Sequence, residues 1–331
     1  MDILKKLDCR ILSTVTQEDD ETQWLKNRTR GIGGSDVGAI CGVSNYSSPR
    51  TVYLKKTGQY DEAINGFSDA AVERMRFGNL LEPIVADEYA RRSGKKIAVS
   101  PATLVHKKQD WALANIDRFI LDENGDPYGI LECKTAGEFM NEDWENGELP
   151  LYYIYQLNWY LYVCDLEFGA FACLVGGNKF YYYELYRNDD IIKEMVEKAD
   201  EFWNHYVKNM IEPPLTGTTA DEEHVKKTHT EVEKDSEVFF EEDEINDLAK
   251  VVSVGKAEIK KLEKIVNEAS NRLKDRLKNK EIGYTKDYIV KWSPRTQRRI
   301  DNDKLKVEHP DVFEKCTKEI SFRVFTVKGG K

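Results

Sequence analysis

Two apolar runs, at residues 119–121 and 130–131, flank the segment Asp-Glu-Asn-Gly-Asp-Pro at 122–127. The middle segment is rich in turn-forming residues, and turn formers between two apolar runs predict a β-hairpin. Asp117 precedes the first run and Glu132 follows the second. We therefore expect these two carboxylates to face each other across paired strands.

Alternation along the second strand adds a cation to this pair. Side chains of a strand point to opposite faces in turn, so Glu132 and Lys134 share one face and Cys133 points to the other. Asp117, Glu132 and the backbone carbonyl of Cys133 are oxygen ligands of the kind Mg²⁺ prefers, with Mn²⁺ as the alternative ion. Lys134 could orient a water or lower its pKa. The competing interpretation is a surface hairpin with ordinary solvated side chains.

Apolar residues recur at helical spacing between positions 81 and 89. This pattern predicts a helix within the segment 75–89, whose first turn contains Pro83. Glu82 then lies near the helix start. There it either reaches a metal held on the hairpin or interacts with the helix dipole.

The aromatic-rich segment 152–163 predicts another helix. Gln156 and Tyr160 are one turn apart in it and share a face. Most of the rings are expected in the core. A buried amide needs hydrogen-bond partners, however, and an active site beside the sheet would provide them for Gln156.

Glycines are frequent in the segment 24–42, which also contains Arg28 and Arg30. Ser35 and the aspartate after it can cap a helix that begins at Val37. The free N–H groups at such a helix start would face whatever the arginines attract, which suits a phosphate. The alternative is a glycine-rich turn that precedes a buried helix.

Changes in pattern divide the chain into three parts. Residues 168–185 predict a second hairpin and 189–207 an amphipathic helix, after which two prolines close a first domain at 1–214. Residues 215–237 are polar and predict a linker. The third part is the segment 238–331.

This C-terminal segment begins with apolar residues in heptad-like spacing from 245 to 273. The spacing predicts a long helix that packs either on a partner or on strands of its own segment. Residues 284–292 and 320–327 predict strands, and 301–307 predict a short helix.

Composition narrows the class of protein. The chain has 331 residues, of which 49 are Lys or Arg and 59 Asp or Glu, giving a net charge of −10. This charge argues against a passive nucleic-acid coat but is compatible with local basic patches. The six cysteines show no zinc or iron–sulfur spacing. The N-terminus has no apolar leader and no stretch approaches a membrane span, so we expect a cytoplasmic enzyme.

Five motifs follow one another in a recognisable order: Trp24-x-x-x-Arg28, Gly-Gly-Ser35-Asp, Phe-Gly-Asn-x-x-Glu82-Pro, Asp117 with Glu132-x-Lys134, and Gln156-x-x-x-Tyr160. In this order the chain resembles the phage lambda exonuclease branch of the PD-(D/E)xK nucleases, and more closely the YqaJ-type viral recombinases. The resemblance covers residues from about 20 to 210. It implies an α/β fold with a central mixed β-sheet flanked by helices, followed by a smaller α+β segment with a long helix.

The resemblance also implies a role for each motif residue. Glu82, Asp117 and Glu132 would bind the metals. Lys134 would assist the nucleophilic water, and Gln156 would orient the site.

Arg28 and Ser35 match positions that hold the 5′-phosphate of the strand being degraded in lambda exonuclease. Arg30 and Tyr160 are further candidates for contact with DNA. Ile116 stands where many relatives have Pro, a variation that this superfamily tolerates. The upstream acidic ligand of lambda exonuclease has no clear match, because Asp110 lies at an uncertain distance, so the ligand set of a second metal is open.

The activity implied by the resemblance is that of a metal-dependent 5′→3′ exonuclease on linear double-stranded DNA with a 5′-phosphorylated end, leaving 3′ single-stranded tails. It implies phage or prophage recombination in a bacterial host, a single-strand annealing protein as partner, and a homo-oligomer in the form of a toroidal trimer. A structure- or sequence-dependent endonuclease uses the same chemistry and is the main alternative. A nuclease-derived DNA-binding module is a third. The C-terminal segment also resembles that of YqaJ-type proteins, which implies no catalysis there.

Overall fold

The computed structural model describes residues 2–16, 19–61, 66, 68–233, 236–319 and 322–329. The chain forms two compact units, Met1–His229 and Thr230–Lys331. Among the described residues, no helix is both long enough and apolar enough to cross a bilayer.

The helices of the described residues are α1 (Glu21–Arg28), α2 (Gly34–Ile40), α3 (Pro49–Thr57), α4 (Asp69–Ser93), α5 (Asn141–Glu145), α6 (Leu151–Cys164), α7 (Asp189–Glu201), α8 (Thr219–Thr228), α9 (Asp243–Leu277), α10 (Asn302–Glu308) and α11 (Pro310–Cys316). The strands are β1 (Cys9–Ser13), β2 (Lys96–Val99), β3 (Thr103–His106), β4 (Leu113–Ala114), β5 (Arg118–Leu121), β6 (Pro127–Ala136), β7 (Phe168–Val175), β8 (Lys179–Tyr186), β9 (Ile282–Tyr284) and β10 (Ile289–Lys291). Short 3₁₀ turns occur at Asp2–Lys6 and Glu138–Met140, and α7 continues into a π-helical turn at Phe202–Val207.

A mixed sheet lies at the centre of the first unit. Within the described residues it has five strands in the order β2-β5-β6-β7-β8. Strands β6 and β7 are parallel, and the other neighbours are antiparallel. A parallel pair needs a crossover connection, and α6 lies in the connection between these two strands. Strands β1, β3 and β4 form a separate antiparallel sheet.

Helices cover both faces of the central sheet. Consecutive residues of β6 point to opposite sides, so Ile130 belongs to the buried cluster that includes Leu157 and Trp159 of α6, whereas Leu131 belongs to the cluster that includes Val85 of α4. Strand β6 is covered on both sides at this point, which explains why two consecutive residues, Ile130 and Leu131, are both apolar and buried. The predicted α/β fold with a central mixed sheet flanked by helices is confirmed.

The hairpin predicted at the start of the sheet is also present. Strands β5 and β6 pair with Arg118 opposite Leu131, which makes Asp117 and Glu132 neighbours across the two strands. The Asp122 carboxylate accepts two backbone N–H groups of the connecting turn, at 2.9 and 2.8 Å. This side-chain closure is the reason turn formers concentrate here.

Helix α4 begins earlier than predicted. It spans Asp69–Ser93, so Pro83 lies in its interior rather than in its first turn. Proline has no N–H to donate and usually interrupts a helix. Val85 and Tyr89 of this helix are buried against the sheet, and that packing offsets the lost hydrogen bond. Glu82 is therefore in mid-helix, away from the N-terminus where the helix dipole acts.

Helix α2 also begins before its predicted start at Val37. It starts at Gly34, and the Asp36 carboxylate accepts the backbone N–H of Gly33 at 2.8 Å. Ser35 therefore lies in the first turn and is not the cap. The helix extends through these glycines because it packs tightly on α6: a Cβ on Gly34 would lie 2.5 Å from the Tyr160 ring.

The segment 215–237, predicted to be a polar linker, contains helix α8. Its Asp221 is buried and accepts hydrogen bonds from Ser48 and from the backbone and hydroxyl of Thr216. The helix thus belongs to the first unit, whose boundary follows His229. A short polar helix of this kind is held by its tertiary contacts, which local composition does not predict.

In the second unit the predicted long helix is present as α9, and α10 matches the predicted short helix. The strand predicted at 284–292 is instead the β9–β10 hairpin, turned by Thr285, whose hydroxyl accepts the N–H of Tyr288 at 2.8 Å. For the strand predicted at 320–327, residues 320 and 321 lie outside the described residues, and 322–327 form no strand in the described part.

Candidate active site

Glu132 is the centre of a buried polar cluster on strand β6. Its Oε1 accepts a hydrogen bond from Lys134 Nζ at 2.7 Å and another from Gln156 Nε2. Gln156 in turn accepts from Lys134 at 3.2 Å and donates to the Tyr160 hydroxyl at 3.1 Å. Helix α6 thus brings the predicted residues Gln156 and Tyr160 onto the carboxylate of the hairpin. The amide fixes both the acid and the ammonium.

Asp117 lies at the entrance to β5, next to this cluster. Its Oδ2 accepts the backbone N–H of Cys133 at 2.8 Å. Burial, together with the negative charges of Glu132 and Glu82, holds the pKa of Asp117 well above its usual value. Burial also raises the pKa of Glu132, even though Lys134 acts in the opposite direction. When two buried carboxyl groups lie this close, ionisation of both is unfavourable unless a positive charge is added nearby.

Lys134 remains a cation in this environment. Burial lowers its pKa, but the charges of Glu132 and Asp117 outweigh burial, and the net pKa of Lys134 lies above the ordinary lysine value. Its ammonium also lies 4.8 Å from the centroid of the Tyr153 ring. A protonated lysine donates hydrogen bonds and does not act as a base.

The buried carboxylate oxygens of this cluster suit a divalent ion. Glu132 Oε2 is buried and has no hydrogen-bond partner among the described residues. A buried carboxylate oxygen without a partner is costly, and a hard cation would satisfy it. The raised pKa values of Asp117 and Glu132 also favour added positive charge. The residues therefore fit a metal.

The Glu82 carboxylate is paired with Arg118. Its Oε1 accepts from Arg118 Nη1 at 2.6 Å, and Arg118 also donates to the Asp117 carbonyl oxygen at 2.6 Å. Accordingly, no three His, Cys, Asp or Glu side chains within the described ranges are already arranged to hold a metal. The Cys133 thiol lies on the other face of β6, where burial raises its pKa.

A second group of predicted residues lies at the start of α2. Arg28 Nη2 donates to the Ser35 hydroxyl at 2.7 Å, and the guanidinium stacks on Trp24 at 4.7 Å. The Arg28 charge also acts on Tyr160, whose pKa is raised by burial. Because Gly34 of the same turn lies against the Tyr160 ring, the arginine group adjoins the carboxylate cluster. Arg30 is exposed in the loop beyond Arg28.

A buried ion pair that the sequence did not reveal supports this arginine group. Lys56 Nζ lies 2.7 Å from Asp36 Oδ2, with side chains 5% and 13% exposed. Lys56 also donates to the Arg28 carbonyl oxygen at 2.8 Å. Burial raises the pKa of Asp36, but the charges of Lys56 and Arg28 outweigh it, and the net pKa is lowered. The pair therefore joins the end of α1 to the start of α2.

Arg118 is the other functional residue that the pattern missed. Its position beside Asp117 is visible in the sequence, but strand alternation places it on the opposite face. Only the path of its long side chain, back to the Asp117 carbonyl and on to Glu82, brings it into the site.

The chain is similar in sequence and in fold to several known proteins. The YqaJ-like viral recombinase domain matches residues 23–167. The uncharacterized protein YqaJ of Bacillus subtilis (strain 168) is 38% identical over 314 residues, which cover 94% of this chain and 95% of that protein. The alkaline exonuclease LHK-Exo of Laribacter hongkongensis is 16% identical with a TM-score of 0.46, over 58% of this chain and 94% of that chain. A phage-related exonuclease of Haemophilus somnus is 13% identical with a TM-score of 0.35, over 54% and 96%.

The two structural likenesses are distant, whereas the match to YqaJ extends over nearly the whole chain. The domain match covers the arginine group and the carboxylate cluster alike. The chain therefore belongs to the YqaJ-like viral recombinase family.

Proposed function

We propose that this protein is a metal-dependent 5′→3′ exonuclease that degrades one strand of linear double-stranded DNA and leaves 3′ single-stranded tails. One observation carries the proposal: the buried Glu132 Oε2 lacks a partner among the described residues, beside Asp117 and a charged Lys134. Buried acids with a fixed ammonium are the groups that phosphodiester hydrolysis needs.

Asp117 and Glu132 are the residues that would hold the ion, with Glu82 joining them on release from Arg118. The backbone carbonyl of Cys133 is a further candidate ligand. Oxygen donors of this type suit Mg²⁺, and Mn²⁺ is the alternative. When bound, such an ion supplies Lewis-acid polarisation of the phosphate and an activated water.

Lys134 supplies the fixed positive charge of the mechanism. As an ammonium, it would stabilise negative charge that develops on the phosphate and would orient the attacking water by donating a hydrogen bond. Gln156 holds Lys134 and Glu132 Oε1 in place, at 3.2 Å from the ammonium. The burial of all three groups strengthens these interactions, since charges act more strongly away from bulk water.

Arg28 and Ser35 would bind the terminal 5′-phosphate, with Arg30 and Tyr160 as further DNA contacts. A guanidinium offers paired donors that match phosphate oxygens, and Ser35 already lies 2.7 Å from it. Holding the chain end beside the carboxylate cluster would restrict cleavage to the end of a strand. This restriction distinguishes an exonuclease from an endonuclease with the same chemistry.

The biological setting follows from the family. We propose phage or prophage recombination in the cytoplasm of a bacterial host, with a single-strand annealing protein that receives the 3′ tails. A homo-oligomer, in the form of a toroidal trimer, would enclose the duplex and let an acidic protein present positive charge only to DNA. We assign the chemistry to the predicted domain 1–214, and neither the segment 215–237, with its helix α8, nor the segment 238–331 takes part in it.

The test uses linear and closed circular duplexes of one sequence, with Mg²⁺ or EDTA. Linear DNA is labelled on either the 5′ or the 3′ end of a strand, and the protein should release the 5′ label first. The protein should leave the circular duplex intact. Cutting of the circle would establish an endonuclease instead. Binding of the linear duplex without cleavage at any Mg²⁺ or Mn²⁺ concentration would establish a DNA-binding module.

A further inference from the structure

Helix α9 carries an apolar seam along one side. Small or apolar residues recur alternately every three and every four positions, which is the spacing of positions a and d in a coiled coil. Ile245 occupies an a position, and Leu248 the d position after it. The seam continues with Val252, Gly255, Ile259, Leu262, Val266, Ala269 and Leu273.

The large residues of this seam are exposed within the second unit. The exposed fraction is 46–61% for five of them: Leu248, Ile259, Leu262, Val266 and Leu273. Among the described residues of this unit, Leu277 alone is buried. A long amphipathic helix gains its stability from burial of the apolar face, so this seam requires a covering surface.

The charges beside the seam discriminate between two ways of pairing it with itself. Lys256 and Glu263 occupy e positions, and Glu258 occupies a g position. In a parallel pair, Glu258 would face Glu263 of the second copy, twice per dimer. In an antiparallel pair, e positions face e positions, and Lys256 can face Glu263 of the second copy. Charge complementarity favours the antiparallel pair.

The same charges select one antiparallel register. When Ile259 lies opposite Leu262 of the second copy, Lys256 of each copy faces Glu263 of the other copy. The two ion pairs lie on either side of the centre of the helix pair. A shift of one heptad in one direction would place Lys256 opposite Lys256 of the second copy. A shift in the other direction would place Glu263 opposite Glu263 of the second copy. Both shifts bring like charges together, which is destabilising.

The core layers of this register contain no charged residue from Leu248 to Leu273, and beyond them Ile245 would lie opposite Arg276 at each end. The layers on either side of the centre would be Val266 with Gly255, Val252 with Ala269, and Leu248 with Leu273. Large residues thus face small ones where the seam narrows, which allows close packing at native density.

We infer that α9 is the interface with a second copy of this chain, formed as an antiparallel helix pair centred between Ile259 and Leu262. This pairing does not depend on the nuclease chemistry. In the single chain, Lys256 lies 5.5 Å from the Phe325 ring, and Glu258 forms an exposed ion pair with Lys261 at 2.6 Å. Both are surface contacts that long side chains exchange readily.

The experiment compares masses of the full-length protein in solution over a range of concentrations. If the first unit forms the proposed trimer, the α9 pairs join two trimers, and Ile259→Asp with Leu262→Asp should halve the wild-type mass; if the first unit is monomeric, the same variant should convert a dimer to a monomer. Glu263→Lys should weaken association on the order of tenfold, because two ion pairs per dimer become repulsive. Lys256→Glu should weaken it similarly, and the double exchange Lys256→Glu with Glu263→Lys should restore it. Lys264→Glu, on the outer side of α9, is the matched control and should have no effect.

Each other outcome overturns the inference. A parallel pair would make Glu263→Lys associate more tightly, since Glu258 would then face a lysine. Failure of the double exchange to restore association would exclude the proposed register. A wild-type mass unchanged by the two aspartates would show that a different protein, and not a second copy, covers the seam. Circular dichroism on every variant establishes that helix content is retained.

Discussion

Arg118 and Glu82 are joined by a hydrogen bond of 2.6 Å between the guanidinium and the carboxylate. The arginine side chain is 10% exposed, so it is a buried counter-ion, and it also donates to the carbonyl oxygen of Asp117. A divalent ion that recruits Glu82 must compete with Arg118. The arginine thus stabilises the acidic cluster of the metal-free chain.

Arg118→Met should lower the melting temperature in EDTA, by an amount that corresponds to about 1–3 kcal/mol, because Glu82 loses its counter-ion. Mg²⁺ should then raise the melting temperature of this variant more than that of the wild type. Arg91→Met is the matched control, since Arg91 pairs with Glu88 on the exposed side of the same helix. An identical Mg²⁺ response in both variants would remove Glu82 from the ligand set.

Asp117→Asn should abolish cleavage and yet raise the melting temperature in EDTA by a few degrees. The pKa of Asp117 is raised by burial and by Glu132 and Glu82, so its ionised form destabilises the metal-free fold. Asparagine keeps the acceptor for the Cys133 N–H and removes the charge. Glu132→Ala should likewise abolish cleavage. Residual cleavage near the wild-type rate in either variant would refute the proposed metal centre.

Lys134→Ala should lower kcat by roughly 10²–10³-fold, the usual cost of losing one preorganised charge at a developing oxyanion. Metal binding, followed as the Mg²⁺-dependent shift in melting temperature, should persist, because Gln156 still holds Glu132. Lys179→Ala removes an exposed lysine paired with Glu138 and serves as control. An unchanged kcat in Lys134→Ala would leave the lysine with a structural role alone.

The sequence pattern predicts a helix or a strand correctly where the apolar residues follow a single period. The β5–β6 hairpin and helix α6 follow from a turn cluster and an apolar helix, and both place Glu132 beside Gln156. Helix α4 shows the limit, because packing of Val85 and Tyr89 outweighs the local effect of Pro83. Tertiary burial of several residues exceeds a single lost hydrogen bond.

Side-chain paths are harder to predict than elements. Nothing in the pattern around Lys56 indicates that its ammonium is buried between Asp36 and the Arg28 carbonyl. Arg118 likewise acts through the reach of its side chain rather than through strand alternation. Long flexible residues contribute little to periodicity, and their partners are fixed only when the packed elements leave one path for them.

A duplex with 5′-phosphate ends should be degraded faster than one with 5′-hydroxyl ends. Arg28→Ala should erase the difference, because one or two charge-assisted hydrogen bonds to phosphate are worth roughly 1.5–3 kcal/mol, or about 10–100-fold. Lys26→Ala, which changes an exposed lysine of the same helix, should leave the ratio intact. Equal rates on both ends in the wild type would exclude the phosphate pocket but not the metal centre.

A chain truncated after His229 should keep its cleavage of short linear duplexes, because the second unit contributes none of the carboxylates, arginines or lysines of the site. Truncation after Pro214 should retain the site residues as well but lower the melting temperature.

The shorter chain loses Asp221, which is 2% exposed and accepts hydrogen bonds from Ser48 and Thr216. Unfolding free energy should fall by about 1–3 kcal/mol, the cost of leaving a buried donor without its acceptor. Thermal unfolding and nuclease rate, measured in parallel on both chains, check this expectation. If the chain ending at His229 is folded and yet inactive, the second unit completes the active domain and the division into catalytic and assembly parts is wrong.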